Sequence, residues 1–112
     1  MGPDDAIRVR HMLDAAREAI SFVGGRSRDD LDRDRMLVLA IVKEVEIIGE
    51  AASRTTSATR DAHPEVPWAQ IIAMRNRLIH AYFDVDLQVV WDTVTVDLPL
   101  LVALLEPLVP SK

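Results

Sequence analysis

The sequence contains no cysteine, which excludes disulfide bonds and thiolate-ligated metal sites. Glycine and aromatic residues are also scarce, with four Gly, two Trp, one Tyr and two Phe among 112 residues. Leu, Val, Ile and Ala dominate instead. This balance favours packed helices over a β-sandwich or barrel, which needs more turns and more strand-forming residues. The length indicates a single domain that spans residues 1–112.

Long apolar segments are missing as well. The longest apolar run covers residues 36–42 and is far too short to cross a bilayer. The first ten residues, MGPDDAIRVR, lack the apolar core that a secretory signal needs. We therefore expect a cytoplasmic protein without a membrane partner.

Basic charge is scarce over the chain as a whole but concentrated in one place. The formal net charge is −5, whereas nucleic-acid binding is driven by Lys and Arg, so a long nucleic-acid track is not expected. Between Glu65 and Asp84, however, there is no acidic residue, and this window contains Arg75, Arg77 and His80. A local basic site on an acidic body is compatible with this distribution.

Apolar residues recur at three- and four-residue steps in two long segments, which predicts two amphipathic helices. The first begins at Asp4, a good N-terminal residue, and stops at Gly24-Gly25. The second covers residues 34–54. A polar connector follows over residues 55–67, with one helical turn predicted around residues 57–62.

The last third of the chain predicts two more helices. One runs from Trp68 through Tyr82, and Asp84 or Asp86 caps the next. Pro99 interrupts the apolar pattern of that helix, so we expect a break or kink just before it. These segments together predict an all-α fold, an antiparallel bundle of four to five helices.

The second helix carries more apolar surface than a bundle core needs. Leu37, Leu39 and Ile47 lie outside its main stripe, which indicates a further buried face and so an oligomer. Small residues around Gly49 would let helices approach closely. They could do so between subunits or inside the bundle.

A polar constellation stands in the otherwise apolar third helix. Arg75 on an apolar face costs folding energy unless it is paired or turned toward a cleft, and His80 has an unperturbed pKa near physiological pH. On a continuous helix Asn76 and His80 are i, i+4 neighbours that point the same way. One copy of the chain supplies a single histidine, whereas acid–base catalysis uses a proton acceptor and a proton donor. A two-fold dimer would place two histidines in one cleft. The constellation therefore indicates a reaction centre, shared by a homodimer.

The same residues resemble a known family. Residues 75–80, RNRLIH, fit the Arg-polar-x-x-x-His signature of HEPN-domain ribonucleases. With PEVPW at residues 64–68 and the His-x-Tyr extension at residues 80–82, the chain resembles a HepT-type toxin. IGEA at residues 48–51 fits the same group. The resemblance covers most of the chain and is densest over residues 64–101.

The resemblance implies a helical homodimer whose paired motifs form a metal-independent RNase site without a cofactor. Arg75, Asn76 and His80 then fall on the catalytic positions, and Arg77 is left an auxiliary phosphate-binding role. The resemblance also implies two partners for the protein, RNA and a minimal nucleotidyltransferase that acts as the antitoxin. In related systems this enzyme adenylylates the tyrosine of the His-x-Tyr extension, which is Tyr82 here. Such cleavage uses the 2′-hydroxyl of RNA as the nucleophile and leaves a 2′,3′-cyclic phosphate.

Two other functions compete with this one. The chain could be a non-catalytic HEPN subunit that binds a nucleotidyltransferase as its partner or substrate, which suits its acidic net charge. It could also be a purely structural helical dimer. The other two histidines, His11 and His63, are expected to be solvated.

Overall fold

The computed structural model describes residues 1–81 and 84–110, and it describes only the backbone at residues 80 and 81. The helices are α1 (Pro3–Phe22), α2 (Asp30–Arg33), α3 (Arg35–Arg54), α4 (Ser57–Ala62), α5 (Trp68–Leu78), α6 (Leu87–Asp92) and α7 (Leu98–Leu105). A π-helical turn (Thr93–Asp97) joins α6 to α7, and a 3-10 turn (Glu106–Leu108) follows α7. Two short strands, β1 (Ile79–Ala81) and β2 (Asp84–Val85), pair antiparallel between α5 and α6.

The predicted all-α bundle is confirmed. α1 and α3 form an antiparallel pair, because the start of α1 meets the chain just beyond the end of α3. At that point the hydroxyl of Thr56 donates a 2.6 Å hydrogen bond to Asp5. α7 and the π-helical turn before it pack on α1, and α5 packs on α3. The core between these helices contains Val9, Met12, Leu13, Ile41, Val45, Ile48, Ile71, Leu78, Val94, Leu98 and Leu105, all at most 1% exposed.

The ends of the two long helices follow from local chemistry. α1 ends just before Gly25, whose φ of +74° is a conformation that favours glycine. α3 begins after Asp34, whose carboxylate accepts a hydrogen bond from the N–H of Leu37 at 3.1 Å. Both helices therefore lie within a residue or two of their predicted bounds.

α3 and α5 approach each other closely at Gly49. A Cβ atom at this position would lie 3.6 Å from the carbonyl oxygens of Ile71 and Ile72 in α5. Glu46, one turn earlier in α3, pairs with Arg75, which is later in α5, so the two helices are antiparallel. Of the two roles predicted for the small residues here, packing inside the bundle is the one that Gly49 serves.

The apolar surplus of the second predicted helix is divided between core and surface. Leu37 is 6% exposed and belongs to the core, so its prediction as a residue outside the main stripe is wrong. Leu39 and Ile47 are 49% and 36% exposed, as an additional apolar surface requires.

The third predicted helix is shorter than expected, because α5 ends at Leu78 rather than at Tyr82. Ile79 is extended, with φ −122° and ψ 109°. The carbonyl of Leu78 accepts a hydrogen bond from the N–H of Asp86 at 2.7 Å. This contact with the returning chain ends the helix, and the β-branched Ile79 suits the strand that replaces it.

One consequence concerns the predicted site. Because His80 belongs to β1, the prediction that Asn76 and His80 project from one face of a continuous helix is wrong. The side chain of His80 and the whole of Tyr82 lie outside the described residues.

The fourth predicted helix begins and bends where its sequence indicates. Asp86 caps α6 by accepting a hydrogen bond from the N–H of Val89 at 3.1 Å, whereas Asp84 lies in β2. A π-helical turn precedes Pro99, which has no N–H to donate and whose ring clashes with the carbonyl four residues earlier. The irregularity is a widened turn, and the helix continues through it.

The helical span Leu87–Leu108 is long and apolar enough to cross a membrane by length and composition alone, the one such span in the described chain. One side of it is buried in the bundle, as Val94 and Leu98 show, while Val96 and Leu100 on the other side are more than half exposed. Core helices of globular domains pass the same test, so a single such span is weak evidence for a membrane segment. The cytoplasmic location stays a prediction.

Candidate functional site

Arg75 lies on α5 at the surface of the bundle, with half of its side chain exposed. Its Nε atom donates a hydrogen bond to Oε1 of Glu46 at 3.2 Å, and Glu46 projects from α3. The exposed fractions of the two side chains are 49% and 37%. Arg75 thus satisfies the expectation that an arginine on this helix is paired, although the sequence did not reveal its partner.

The close approach at Gly49 explains why these two residues meet. Glu46 precedes Gly49 by three residues, and Arg75 follows Ile72 by three, so each stands about one helical turn from the contact point. Because the residue at this point is small, α5 lies close enough to α3 for the pair to form.

Asn76 and Arg77 follow Arg75 on α5, and both are exposed. Within residues 1–81 and 84–110, neither side chain makes a hydrogen bond or an ion pair. They are therefore accessible to a ligand. The spatial relation of Arg75 and Asn76 to the imidazole of His80 stays a prediction.

A cleft of about 740 Å³ opens next to Arg75, over α3 and between α1 and α5. Three isoleucines line it and are partly exposed: Ile7, Ile47 and Ile72. Its charged lining residues are Asp4, Arg8, Lys43, Glu46, Glu50, Arg54 and Arg75, and His11 lines it as well. The wall thus combines apolar surface with charges of both signs.

Most cations of this cleft already have a carboxylate partner. Arg54 pairs with Glu50 at 2.8 Å, and Arg8 pairs with Asp5 at 3.2 Å. Lys43 forms no ion pair with the described part of the chain. The positive charge open to a polyanion is therefore small.

Sequence reasoning missed the positions of His11 and Glu46 in this cleft. His11 is exposed, as predicted, but it faces the same cleft as Arg75. Neither residue belongs to the motif segment, and only the packing of α1 and α5 against α3 brings them to Arg75. No local sequence signal marked either residue.

The described residues contain no group of three or more His, Cys, Asp or Glu side chains that could hold a metal ion. The independence from metals that the motif implies stays a prediction.

The model of the family described as "Ribonuclease HepT-like" matches residues 12–108, a range that includes α3, α5 and Arg75. No solved structure matches the chain.

Several curated proteins are similar over most of their length. The chain is 38% identical over 91 residues to "Putative RNase TTE0752" of Caldanaerobacter subterraneus subsp. tengcongensis, covering 81% of each chain. It is also 38% identical over 91 residues to "Probable ribonuclease HepT" of Thermococcus cleftensis, covering 78% of this chain and 83% of that one. A third relative, "Putative RNase MJ1380" of Methanocaldococcus jannaschii, is 33% identical over 88 residues, which cover 79% of this chain and 81% of that one.

Proposed function

The chain belongs to the HepT-like ribonuclease family, and on that premise we propose that it is a toxin that cleaves RNA internally without a metal ion. The observation that carries the proposal is the position of Arg75. It lies within the matched range, half exposed at the edge of an open cleft, and accessible Asn76 follows it.

The proposed chemistry needs few protein groups, because RNA supplies its own nucleophile. His80 takes the proton of the 2′-hydroxyl, or gives one to the leaving 5′-oxygen, and such transfer typically contributes about 10²–10⁴-fold. Arg75 stabilises the negative charge of the pentacoordinate phosphorane. Asn76 orients the imidazole or a phosphate oxygen, and Arg77 gives an auxiliary phosphate contact. The product ends in a 2′,3′-cyclic phosphate.

The complete site requires two copies of the chain. One copy supplies a single His80, whereas the reaction uses one proton acceptor and one donor. A two-fold homodimer supplies both from equivalent positions. Exposed apolar residues in the cleft beside Arg75 support this dimer. Ile7 is 54% exposed and Ile47 is 36% exposed, and a second copy would cover both.

The proposed antitoxin is a minimal nucleotidyltransferase. It transfers AMP from ATP to Tyr82: the phenol oxygen attacks the α-phosphorus, and pyrophosphate leaves. Because Tyr82 is two residues from His80, the adduct would add negative charge and bulk beside the site. Both effects oppose RNA binding.

RNA cleavage by the purified protein in EDTA tests the activity. Wild type should cut single-stranded RNA and leave 2′,3′-cyclic phosphate ends, while His80→Ala and Arg75→Ala should lose at least about 10²-fold in rate. His63→Gln, which removes a histidine remote from Arg75, is the matched control and should cleave like wild type. Equal rates for His80→Ala and wild type would reject the catalytic assignment.

Toxicity and modification are tested in cells and by mass spectrometry. Expression of wild type without a partner should arrest growth, whereas His80→Ala should not. Incubation with ATP, Mg²⁺ and a cognate minimal nucleotidyltransferase should add the mass of AMP at Tyr82. An AMP adduct on other residues with Tyr82 unmodified would contradict the assignment.

A non-catalytic binding subunit is the second candidate, because Glu46 partly neutralises Arg75 and the chain has a net charge of −5. This function predicts a tight complex with the nucleotidyltransferase and no cleavage above background at high protein concentration.

A further inference from the structure

The contact between Glu46 and Arg75 uses one particular edge of the guanidinium group. Glu46 accepts from Nε of Arg75 through Oε1 at 3.2 Å. No described residue accepts a hydrogen bond from either of the two terminal Nη atoms of Arg75. The ion pair thus occupies Nε of the guanidinium and leaves both Nη atoms without a described partner, on a residue that lines the cleft.

A guanidinium group is planar and presents its N–H donors in a fixed fork. The two Nη atoms together match two oxygens of one phosphate in a bidentate contact. When Nε is already bonded, the plane of the fork is oriented and the Nη edge is the one that remains. Holding Nε therefore prepares the group for a phosphate instead of competing with it.

Glu46 is well placed for such a role. It lies in the interior of α3, a 20-residue helix that packs against both α1 and α5. Its side chain is 37% exposed, less than the 49% of Arg75. A long, flexible arginine is thus tied to a shorter side chain on a rigid element.

We propose that Glu46 is a positioning residue for the RNase reaction, which holds Arg75 through Nε so that its two Nη atoms face the phosphate being cleaved. This inference rests on the proposed function. It adds a group from α3, outside the motif segment, to the machinery of the site.

Two variants of Glu46 test the inference. In Glu46→Ala the tether is lost, so kcat on a short RNA should fall about 10- to 100-fold, since small misplacement of a catalytic group has effects of this size. Glu46→Gln keeps an oxygen that can accept from Nε and should restore most of the rate. In an Arg75→Ala background, Glu46→Ala should have no further effect.

The control is an ion pair of similar exposure elsewhere on the surface. Arg17 and Glu106 pair at 3.1 Å between α1 and the 3-10 turn, with 47% and 52% exposure, and neither lines the cleft. Glu106→Ala should cleave RNA like wild type. An NMR signal of Arg75 Nε–H that is protected from water in wild type and Glu46→Gln, but not in Glu46→Ala, would report the contact independently of cleavage.

The outcomes separate this inference from the function on which it rests. A wild type that cleaves RNA while Glu46→Ala cleaves equally fast, or faster because a competitor for Arg75 is gone, overturns the role of Glu46 alone. A wild type that cleaves no RNA overturns the proposed function, and the positioning role with it. A protected Nε–H in that second case would show a purely structural ion pair.

Discussion

Oδ2 of Asp5 accepts a 2.6 Å hydrogen bond from the hydroxyl of Thr59, which lies 54 residues further along the chain. The hydroxyl and N–H of Thr56 also donate to this carboxylate, at 2.6 and 3.2 Å, and Nη1 of Arg8 donates at 3.2 Å. Led by the Thr56 hydroxyl, these donors favour the ionised form and hold the pKa of Asp5 well below its usual range. Asp5 is 4% exposed, so the start of α1 is fastened to the start of α4 by a buried charge.

Asp5→Asn is expected to lower the free energy of unfolding at pH 7 by about 2 kcal/mol. The substitution removes a carboxylate that accepts four charge-assisted hydrogen bonds. A lowered pKa contributes stability above the unfolded-state pKa and loses it as pH falls, so the difference from wild type should shrink below about pH 4. Urea unfolding across this pH range measures both. Asp4→Asn, at an exposed neighbour, is the control, and an equal loss in both variants would contradict the role of Asp5.

Glu44 predicts the opposite pH dependence. It is 5% exposed on α3, and its Oε2 has no hydrogen-bond partner in the described part of the chain. The pKa of Glu44 is raised to about 7, chiefly by burial. A hydrogen bond with Glu18 and repulsion from the charge of Glu18 make smaller contributions in the same direction. Because the unfolded chain releases this proton at lower pH, stability should fall as pH rises from about 4.5 to 7.

Glu44→Gln removes the charge and should therefore stabilise the protein at pH 8, by roughly 1–3 kcal/mol. It should also flatten the decline in stability between pH 5 and pH 8. Denaturant unfolding of both proteins at several pH values measures this. A variant that is less stable than wild type at pH 8 would contradict this prediction, because the charged carboxylate of Glu44 would then stabilise the folded protein.

Gly49→Ala is expected to be tolerated. Its Cβ would lie 3.6 Å from two carbonyl oxygens of α5, which is ordinary van der Waals contact. Alanine in a helix interior is favoured over glycine by about 1 kcal/mol, so the melting temperature should stay the same or rise. Gly49→Leu has no room for its further atoms and should separate α5 from α3. Thermal unfolding distinguishes the two, and a strong loss from Gly49→Ala would contradict this geometry.

Ile47→Glu is expected to convert the proposed dimer to a monomer, since Ile47 is the partly exposed isoleucine of α3 in the cleft. A charge placed in an apolar interface costs several kcal/mol. Sedimentation equilibrium measures the mass, and RNase activity should be lost together with the dimer. Leu100→Glu, at a residue of α7 that is 63% exposed and lies outside the cleft, is the control. A wild type that is monomeric at every concentration would reject the composite site.

Much of the fold could be predicted because its signals are local. The carboxylates of Asp34 and Asp86 cap the following helices through contacts three residues away, and a helical turn lies at residues 57–62 as predicted. The same reasoning failed at Ile79. Apolar residues continue the helical pattern there, but a hydrogen bond from Asp86 to Leu78 competes with the helix and ends it.

The candidate site divides in the same way. Arg75, Asn76 and His80 could be selected from a motif of six residues, because the motif is contiguous in the chain. Glu46 and His11 could not, because they lie 29 and 64 residues before Arg75 and carry no mark of their own. Their relation to Arg75 exists only through helix packing.

The amino-acid order alone determined that this protein is a helical bundle of the HepT-like family, since apolar periodicity, capping residues and a short contiguous motif are all properties of neighbours in the chain. Tertiary structure alone decided where α5 ends, which residue binds Nε of Arg75 and which helices enclose the adjoining cleft. These features depend on contacts between segments far apart in sequence, and their energies are settled only when the whole bundle packs.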